Sequence, residues 1–321
     1  SAGGELTVYL RDYPIPEYRQ RDALESFRLS DMTNPELKQL FFDLPTEEFS
    51  YNGRSHICLE NGGLHDNERQ MQAVIRSLSD NALFFIQGPP GTGKTTVIRE
   101  IIFQELKFSS AAHILVVSQS NVAVDNVLRG FVGNEMFDGL MVRCGNEDSI
   151  AEVLRGYDFY ERLHEYKKKI NEDLTGDLQK YRLLWRKMIS AQDEAELIND
   201  YLLSDYQIVG VTCVGLANPH FGLSKSNFDL VVIDEAGKAM PGELLLPINR
   251  ARKVIIIGDH KQLPPVVDPI LCKDDMSLQS VKELSEEEHL QFIGKSLFHR
   301  LYELSHPSRR VMLDVQFRMP A

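Results

Sequence analysis

Short continuous apolar runs recur along most of this chain. They occupy residues 82–87, 113–118, 140–144, 207–212, 229–234, 253–258 and 311–315. Each is rich in Val, Ile or Leu, with little alternation between apolar and polar positions. A strand covered on both faces has that pattern, because it has no wet side. Helical stretches lie between the runs, with 67–79 and 95–107 the clearest. This alternation predicts βαβ units, and so an α/β fold with a doubly wound parallel sheet flanked by helices.

One segment departs from the rhythm. Leu163, Tyr166, Ile170, Leu174, Leu178, Tyr181, Trp185 and Met188 are spaced by three and four. That spacing puts them on one side of a helix or helical hairpin. Residues 151–205 therefore read as an all-helical insertion between two strands, with a break at Thr175-Gly176 and a second helix near 192–203. The first 63 residues form a separate accessory segment, cut into short pieces by Pro14, Pro16, Pro35 and Pro45. The expected order is accessory segment 1–63, α/β domain 64–150, helical insertion 151–205, and the rest of the α/β domain, 206–321.

Composition narrows the class. The 321 residues are 43% hydrophobic and 26% charged, which excludes a disordered chain. No stretch approaches the roughly 18 apolar residues of a membrane span, so no membrane partner is expected. The four cysteines, Cys58, Cys144, Cys213 and Cys272, are scattered without a CxxC pair. Neither a zinc site nor a disulfide framework is indicated, and the expected setting is an intracellular, reducing compartment, cytoplasmic or nuclear. With 35 basic and 47 acidic residues the formal charge is −12, which argues against a basic surface for nucleic acid.

The candidate chemistry points the other way. Gly88-Pro89-Pro90-Gly91-Thr92-Gly93-Lys94-Thr95 matches the phosphate-loop pattern GxxxxGK[ST]. It follows one apolar run and opens a helix, the context that pattern requires. The glycines let the backbone wrap a phosphate and point N–H groups at it from a helix N-terminus. Thr96 continues the same turn. Lys94 is placed for the β- and γ-phosphates of ATP, and the Thr95 hydroxyl for Mg2+. A second apolar run ends in Asp234-Glu235, where Asp234 suits a magnesium ligand and Glu235 a general base for an attacking water. A third ends in Gly258-Asp259-His260-Lys261-Gln262, and Gln262 is placed to sense the γ-phosphate.

Taken together, Gly-Pro-Pro-Gly-Thr-Gly-Lys-Thr, Asp-Glu-Ala and Gly-Asp-x-x-Gln-Leu-Pro-Pro resemble the motifs of superfamily 1B helicases. The resemblance is to the group of the nonsense-mediated-decay RNA helicase and senataxin-like proteins, and it spans roughly residues 64–320. It implies a RecA-like ATPase domain that works on single-stranded RNA or DNA with 5′-to-3′ movement. Asn67–Val74 is similar to the family's glutamine motif, which implies that Gln70 reads the adenine edge. Residues 118–125 and 211–215 are similar to motifs whose members touch the single strand, which implies that role for Ser120, Asn121, Thr212 and Val214. For Ser120 and Asn121, helix capping is the competing role. Gln316-Phe317-Arg318-Met319 implies an arginine finger at Arg318 and adenine stacking by Phe317, with core packing as the competing role of Phe317. Gly237 departs from the family, which usually has Ala or Ser after Asp-Glu-Ala, and Pro320 stands where His is common.

The same resemblance implies a second RecA-like domain, normally in the same longer chain, to close the ATP cleft. This chain by itself is then expected to bind ATP weakly and to unwind nothing. A nucleotide-binding scaffold, or another phosphate-loop ATPase without unwinding activity, is the alternative. The acidity does not exclude the helicase reading. Residues 1–66 hold 6 basic and 12 acidic residues, half of the excess, and lie ahead of the motifs. The expected strand contacts use hydroxyls, amides and backbone N–H groups rather than lysines.

Overall fold

A computed structural model describes residues 15–42, 59–60, 64, 67–79, 81–137, 139–173, 199, 202–223, 226–262 and 296–317. Seven parallel strands form one sheet: β1 (Leu83–Gln87), β2 (Ile114–Ser118), β3 (Met141–Cys144), β4 (Ile208–Thr212), β5 (Phe228–Ile233), β6 (Ala251–Gly258) and β7 (Arg310–Met312). Their order across the sheet is β3-β4-β2-β5-β6-β1-β7. All seven expected runs are strands. The last is shorter than its pattern, because residues 313–317 leave the sheet and cross the phosphate loop.

The unbroken apolar runs reflect burial on both faces. Successive strand residues point to opposite sides. Phe85, Leu115, Val117, Val231, Ile233, Val254 and Ile256 enter one core cluster. Phe84, Ile86, Val116, Val232, Ile255 and Ile257 enter the other. The second face is covered by α3 (Glu68–Ser77), α4 (Lys94–Phe108) and α5 (Asn121–Leu128), through Val74, Ile98, Ile101 and Val124 among others. The first face is covered by α1 (Ile15–Leu29), α2 (Glu36–Phe42), α6 (Phe159–Asp173), α8 (Pro241–Ile248) and α9 (Leu297–Leu304). A four-residue helix, α7 (Cys213–Leu216), follows β4.

Among the described residues, the prolines of the amino-terminal segment mark helix starts, while Pro14 and Pro45 lie outside them. Pro16 lies in the first turn of α1 and Pro35 immediately precedes α2, where a missing N–H costs nothing. Ala23, Phe27 and Leu37 belong to the first core cluster. The side-chain amide of Asn249 donates to the Ala23 carbonyl at 2.7 Å, and the Thr33 N–H donates to the Asn249 carbonyl at 2.9 Å. These helices are thus built into the core of the α/β unit.

Residues 151–205 connect β3 to β4, which are neighbours in the sheet. The connection opens with a 3₁₀ turn, Glu152–Tyr157, before α6. Leu163 and Tyr166 pack against the first core cluster, as do Leu202 and Leu203 at its far end. Stripe positions Leu174, Leu178, Tyr181, Trp185 and Met188 lie outside the described residues.

One buried feature escaped the pattern analysis. Arg143, in β3, is wholly buried, and its Nε donates to Asp125 Oδ1 of α5 at 2.7 Å. A second guanidinium nitrogen donates to Asn121 Oδ1 at 2.7 Å. Asp125 Oδ2 accepts the Ala151 N–H at 2.8 Å, where the β3–β4 connection begins. One ion pair therefore fixes a helix, a strand and the root of the insertion. Removing one partner of a buried pair strands the other charge, which costs about 3–5 kcal/mol. Arg143→Ala should lower urea-unfolding stability by about that amount, and a loss below about 1 kcal/mol would show that the pair is not supporting the fold.

Candidate nucleotide site

Parallel strands direct all their carboxyl ends to one edge, so the loops after β1, β5 and β6 meet there. Gln87 pairs with Gly258 and Ile233 with Ile256, placing those three strand ends side by side. Between them lies a cleft of about 730 Å3, lined among others by Gln70, Pro90, Gly91, Gly93, Lys94, Thr95, Thr96, Asp234, Glu235, Gln262 and Phe317. That volume is in the range of small-molecule sites. The structure thus brings together most residues singled out for nucleotide binding and catalysis. Arg318 lies outside the described residues.

The loop's shape follows from its glycines. Gly93 has φ +78° and caps α4. A Cβ there would come within 2.2 Å of Gln70 Nε2. The Gln70 amide donates to the Thr92 carbonyl at 2.8 Å and is itself buried. Gln70 therefore braces the loop from α3, whose N-terminus Asn67 caps. Lys94 folds back so that Nζ donates to the Gly88 carbonyl at 2.6 Å and to the Pro89 carbonyl at 3.2 Å. Those carbonyls take up two of the ammonium's three donors. Burial lowers the Lys94 pKa, while Asp234, Asp259 and Glu235 act to keep it protonated.

Asp234 is buried at the end of β5, and burial pushes its carboxyl up to about 6 against the opposing pull of the Glu235 N–H and Lys94. The Glu235 N–H donates to Asp234 Oδ1 at 2.8 Å. Glu235 itself sits at φ +55°, a conformation a non-glycine residue holds only when its surroundings enforce it. Its Oε2 accepts from the Ser120 hydroxyl at 3.2 Å, and its Oε1 lies 3.2 Å from Lys238 Nζ.

Two further groups were not singled out from sequence. Asp259 Oδ1 accepts from the Gln87 amide at 2.7 Å and Oδ2 from the Gln262 amide at 3.0 Å. Gln87 Oε1 accepts the His260 N–H at 3.2 Å. This network ties the end of β1, which leads into the phosphate loop, to Gln262. The available signal was the polar residue that closes the first run, Gln87, and the one that follows the sixth, Asp259.

Gly237, the departure from the family pattern, has a steric reason here. A Cβ on it would stand 2.8 Å from the Asp259 carbonyl oxygen. The 3₁₀ turn Ala236–Lys238 therefore packs backbone to backbone against the end of β6.

Phe317 is 60% exposed at the cleft rim, so core packing is not its role. Its N–H donates to the Gly91 carbonyl at 2.8 Å, and the Gln316 amide donates to Pro90 O at 3.4 Å. Ser120 caps α5 by accepting the Ala123 N–H at 3.2 Å, besides bonding Glu235. Thr212 caps α7 by accepting the Gly215 N–H at 3.0 Å. Asn121 accepts from Arg143, and Val214 is 47% exposed. Three of the four candidate strand-contacting side chains thus already have intramolecular partners.

Phosphate loop, acidic strand end and a glutamine after the neighbouring strand, all on a parallel sheet, define a phosphate-loop nucleoside triphosphatase fold. A model of the AAA domain family matches residues 65–183 and 160–268. The chain belongs to that family. It is 29% identical to mouse DNA-binding protein SMUBP-2, over 78% of this chain and 25% of that one. It is 29% identical to an uncharacterized ATP-dependent helicase of Methanocaldococcus jannaschii, over 98% of this chain and 50% of that one. Regulator of nonsense transcripts 1 of Dictyostelium discoideum is 33% identical, over 79% of this chain and 18% of its own. The chain thus spans half or less of each relative. Among solved structures, Pif1 helicase from Candida albicans aligns with a TM-score of 0.34 at 16% identity, over 82% of this chain and 41% of that one. No described helix is long and apolar enough to cross a membrane.

The Asp234 environment has a measurable consequence. Its folded pKa, about 6, stands above the ordinary 3.8. The folded state therefore binds more protons than the unfolded state between those values, and stability falls as pH rises through that window. Above it the full cost of the buried charge is present. Asp234→Asn should stabilise the nucleotide- and metal-free protein at pH 7 by about 1–3 kcal/mol. That gain should disappear near the ordinary carboxylate pKa; urea unfolding at both pH values checks this, and an equal gain at both contradicts it.

Proposed function

We propose that this chain is the ATP-hydrolysing motor domain of a superfamily 1B helicase that moves 5′ to 3′ on single-stranded nucleic acid. The observation that carries the reading is the meeting of Lys94, Thr95, Asp234, Glu235 and Gln262 around one cleft. Each supplies one part that phosphoryl transfer to water requires.

ATP is the proposed ligand and Mg2+ its companion. The donor set fits magnesium: a buried carboxylate whose charge is penalised by desolvation, and a threonine hydroxyl on the same cleft. Hard oxygen donors in small number suit an ion that keeps its waters and takes its other ligands from phosphates. Asp234 and Thr95 would hold it, and when bound it neutralises charge on the β- and γ-phosphates. Lys94 trades its loop carbonyls for phosphate oxygens. Glu235 accepts a proton from the attacking water as the water oxygen bonds to the γ-phosphorus and the bond to the β–γ bridging oxygen breaks. Gln262, held by Asp259, meets the γ-phosphate. Phe317 stacks on the adenine, and Gln70, already bracing the loop, reads its edge. Arg318 stabilises charge in the transition state.

The exposed rim at Phe317 leaves room for a second RecA-like domain to close over the nucleotide. Ser120, Asn121, Thr212 and Val214 follow β2 and β4 on the same carboxyl edge and form the proposed single-strand face. The bonds that three of these side chains already make favour recognition of the strand through backbone N–H groups and helix ends.

The test uses a protein that carries this chain together with a second RecA-like domain. Glu235→Gln should keep ATP binding and lower turnover by about a hundredfold or more. Unchanged turnover would refute the base assignment. Single-stranded RNA or DNA should accelerate wild-type hydrolysis, and hydrolysis indifferent to both would favour an ATPase without a helicase role.

A further inference from the structure

Lys238 belongs to none of the functions assigned above, yet it stands in the site. It lines a small recess together with Lys94, Glu235, Gly237, Gly258, Asp259 and Gln262. Its Nζ is 3.2 Å from Glu235 Oε1. The Ser120 hydroxyl reaches the other carboxylate oxygen at 3.2 Å. Both oxygens of the candidate base are therefore held by donors from opposite sides. A carboxylate has about four lone-pair positions, so two donors fix its plane and still leave room for a water.

The backbone beneath Lys238 is equally constrained. Its N–H donates to the Glu235 carbonyl at 3.0 Å, closing the 3₁₀ turn. Gly237, in that turn, lies so close to Asp259 that even a methyl group would collide with the carbonyl. The turn cannot drift away from β6 without breaking that approach. Lys238 is thereby aimed at Glu235 by the same contact that explains the glycine.

We propose that Lys238 is a positioning residue for the hydrolytic step: its ammonium, with the Ser120 hydroxyl, holds the Glu235 carboxylate in the orientation that receives the water's proton. The inference rests on the assignment of Glu235 as general base. An exposed ion pair three residues apart contributes little to stability, so its value here is geometric. A misplaced base costs rate without weakening ground-state binding.

The experiment measures steady-state hydrolysis of Mg–ATP with saturating single-stranded nucleic acid, in a protein carrying this chain with a second RecA-like domain. Lys238→Met should lower kcat about tenfold and leave KM within about twofold. Lys238→Arg should recover most of kcat, because it returns a cation to Oε1. Placed on Glu235→Gln, Lys238→Met should add no further loss, since it acts only through that carboxylate. Urea-unfolding midpoints check that each variant is folded.

Three results would overturn the proposal. An unchanged kcat marks a bland surface pair, and a raised KM at unchanged kcat marks a nucleotide contact instead. A kcat loss that Arg does not recover, or that adds to the loss in Glu235→Gln, marks disruption of the turn. If Glu235→Gln alone keeps full turnover, the base assignment fails with it; if that variant is inactive while Lys238→Met is normal, only the Lys238 proposal fails.

Discussion

Lys94 carries an ammonium at the edge of a sheet that is dry on both faces. Burial works against that charge, and the carboxylates of Asp234, Asp259 and Glu235 work for it. The balance runs in both directions, because Asp234 pays a desolvation cost that Lys94 partly offsets. Neither group could sit there alone. The strand order is the means of bringing them together: β6 lies between β1 and β5, so the lysine loop, the acidic pair and the loop carrying Gln262 emerge side by side. In the proposed complex a triphosphate and a divalent cation would complete the same balance, with negative charge for Lys94 and positive charge for Asp234.

Close backbone contact supplies the precision this balance demands. Gly93 lets Gln70 reach the loop carbonyl, and Gly237 lets the acidic turn rest on the end of β6. Glu235 then holds a left-handed conformation within a turn closed by its own neighbours. The hydrogen bonds from Gln87 and Gln262 to Asp259 carry the constraint across to Gln262. Movement at Gln262 would thus be felt at both β1 and β6. The Ser120 hydroxyl links the Glu235 carboxylate to the first turn of α5, and Arg143 links α5 to the root of the β3–β4 connection. The nucleotide site and the proposed strand face therefore share side chains.

Much of this was legible in the chain. Seven apolar runs without alternation became seven parallel strands, because a strand buried on both faces leaves that mark. The phosphate loop, Asp234-Glu235 and Gln262 were legible because their chemistry permits few residue types at fixed places after a strand. What stayed hidden depends on distant pairing. Nothing local says that Arg143 is buried, or that its partner is Asp125. The roles of Gln87 and Asp259 needed the register of β1 against β6. The packing of Ala23, Phe27 and Leu37 in the accessory segment was not legible, because short proline-bounded helices do not announce what they pack on. Phe317 could be either core or rim until the path of residues 313–317 over the loop was seen.

The central claim is that Lys94 and Asp234 form one charge-balanced seat for a triphosphate and its cation. Calorimetric titration with a non-hydrolysable ATP analogue, with and without Mg2+, on wild type, Lys94→Ala and Asp234→Asn tests it most directly. In a protein carrying this chain with a second RecA-like domain, the account predicts tight binding by wild type only when Mg2+ is present. It also predicts loss of binding in Lys94→Ala, and loss of the Mg2+ dependence in Asp234→Asn. Binding by wild type that ignores Mg2+, or that survives unchanged in Lys94→Ala, would contradict it.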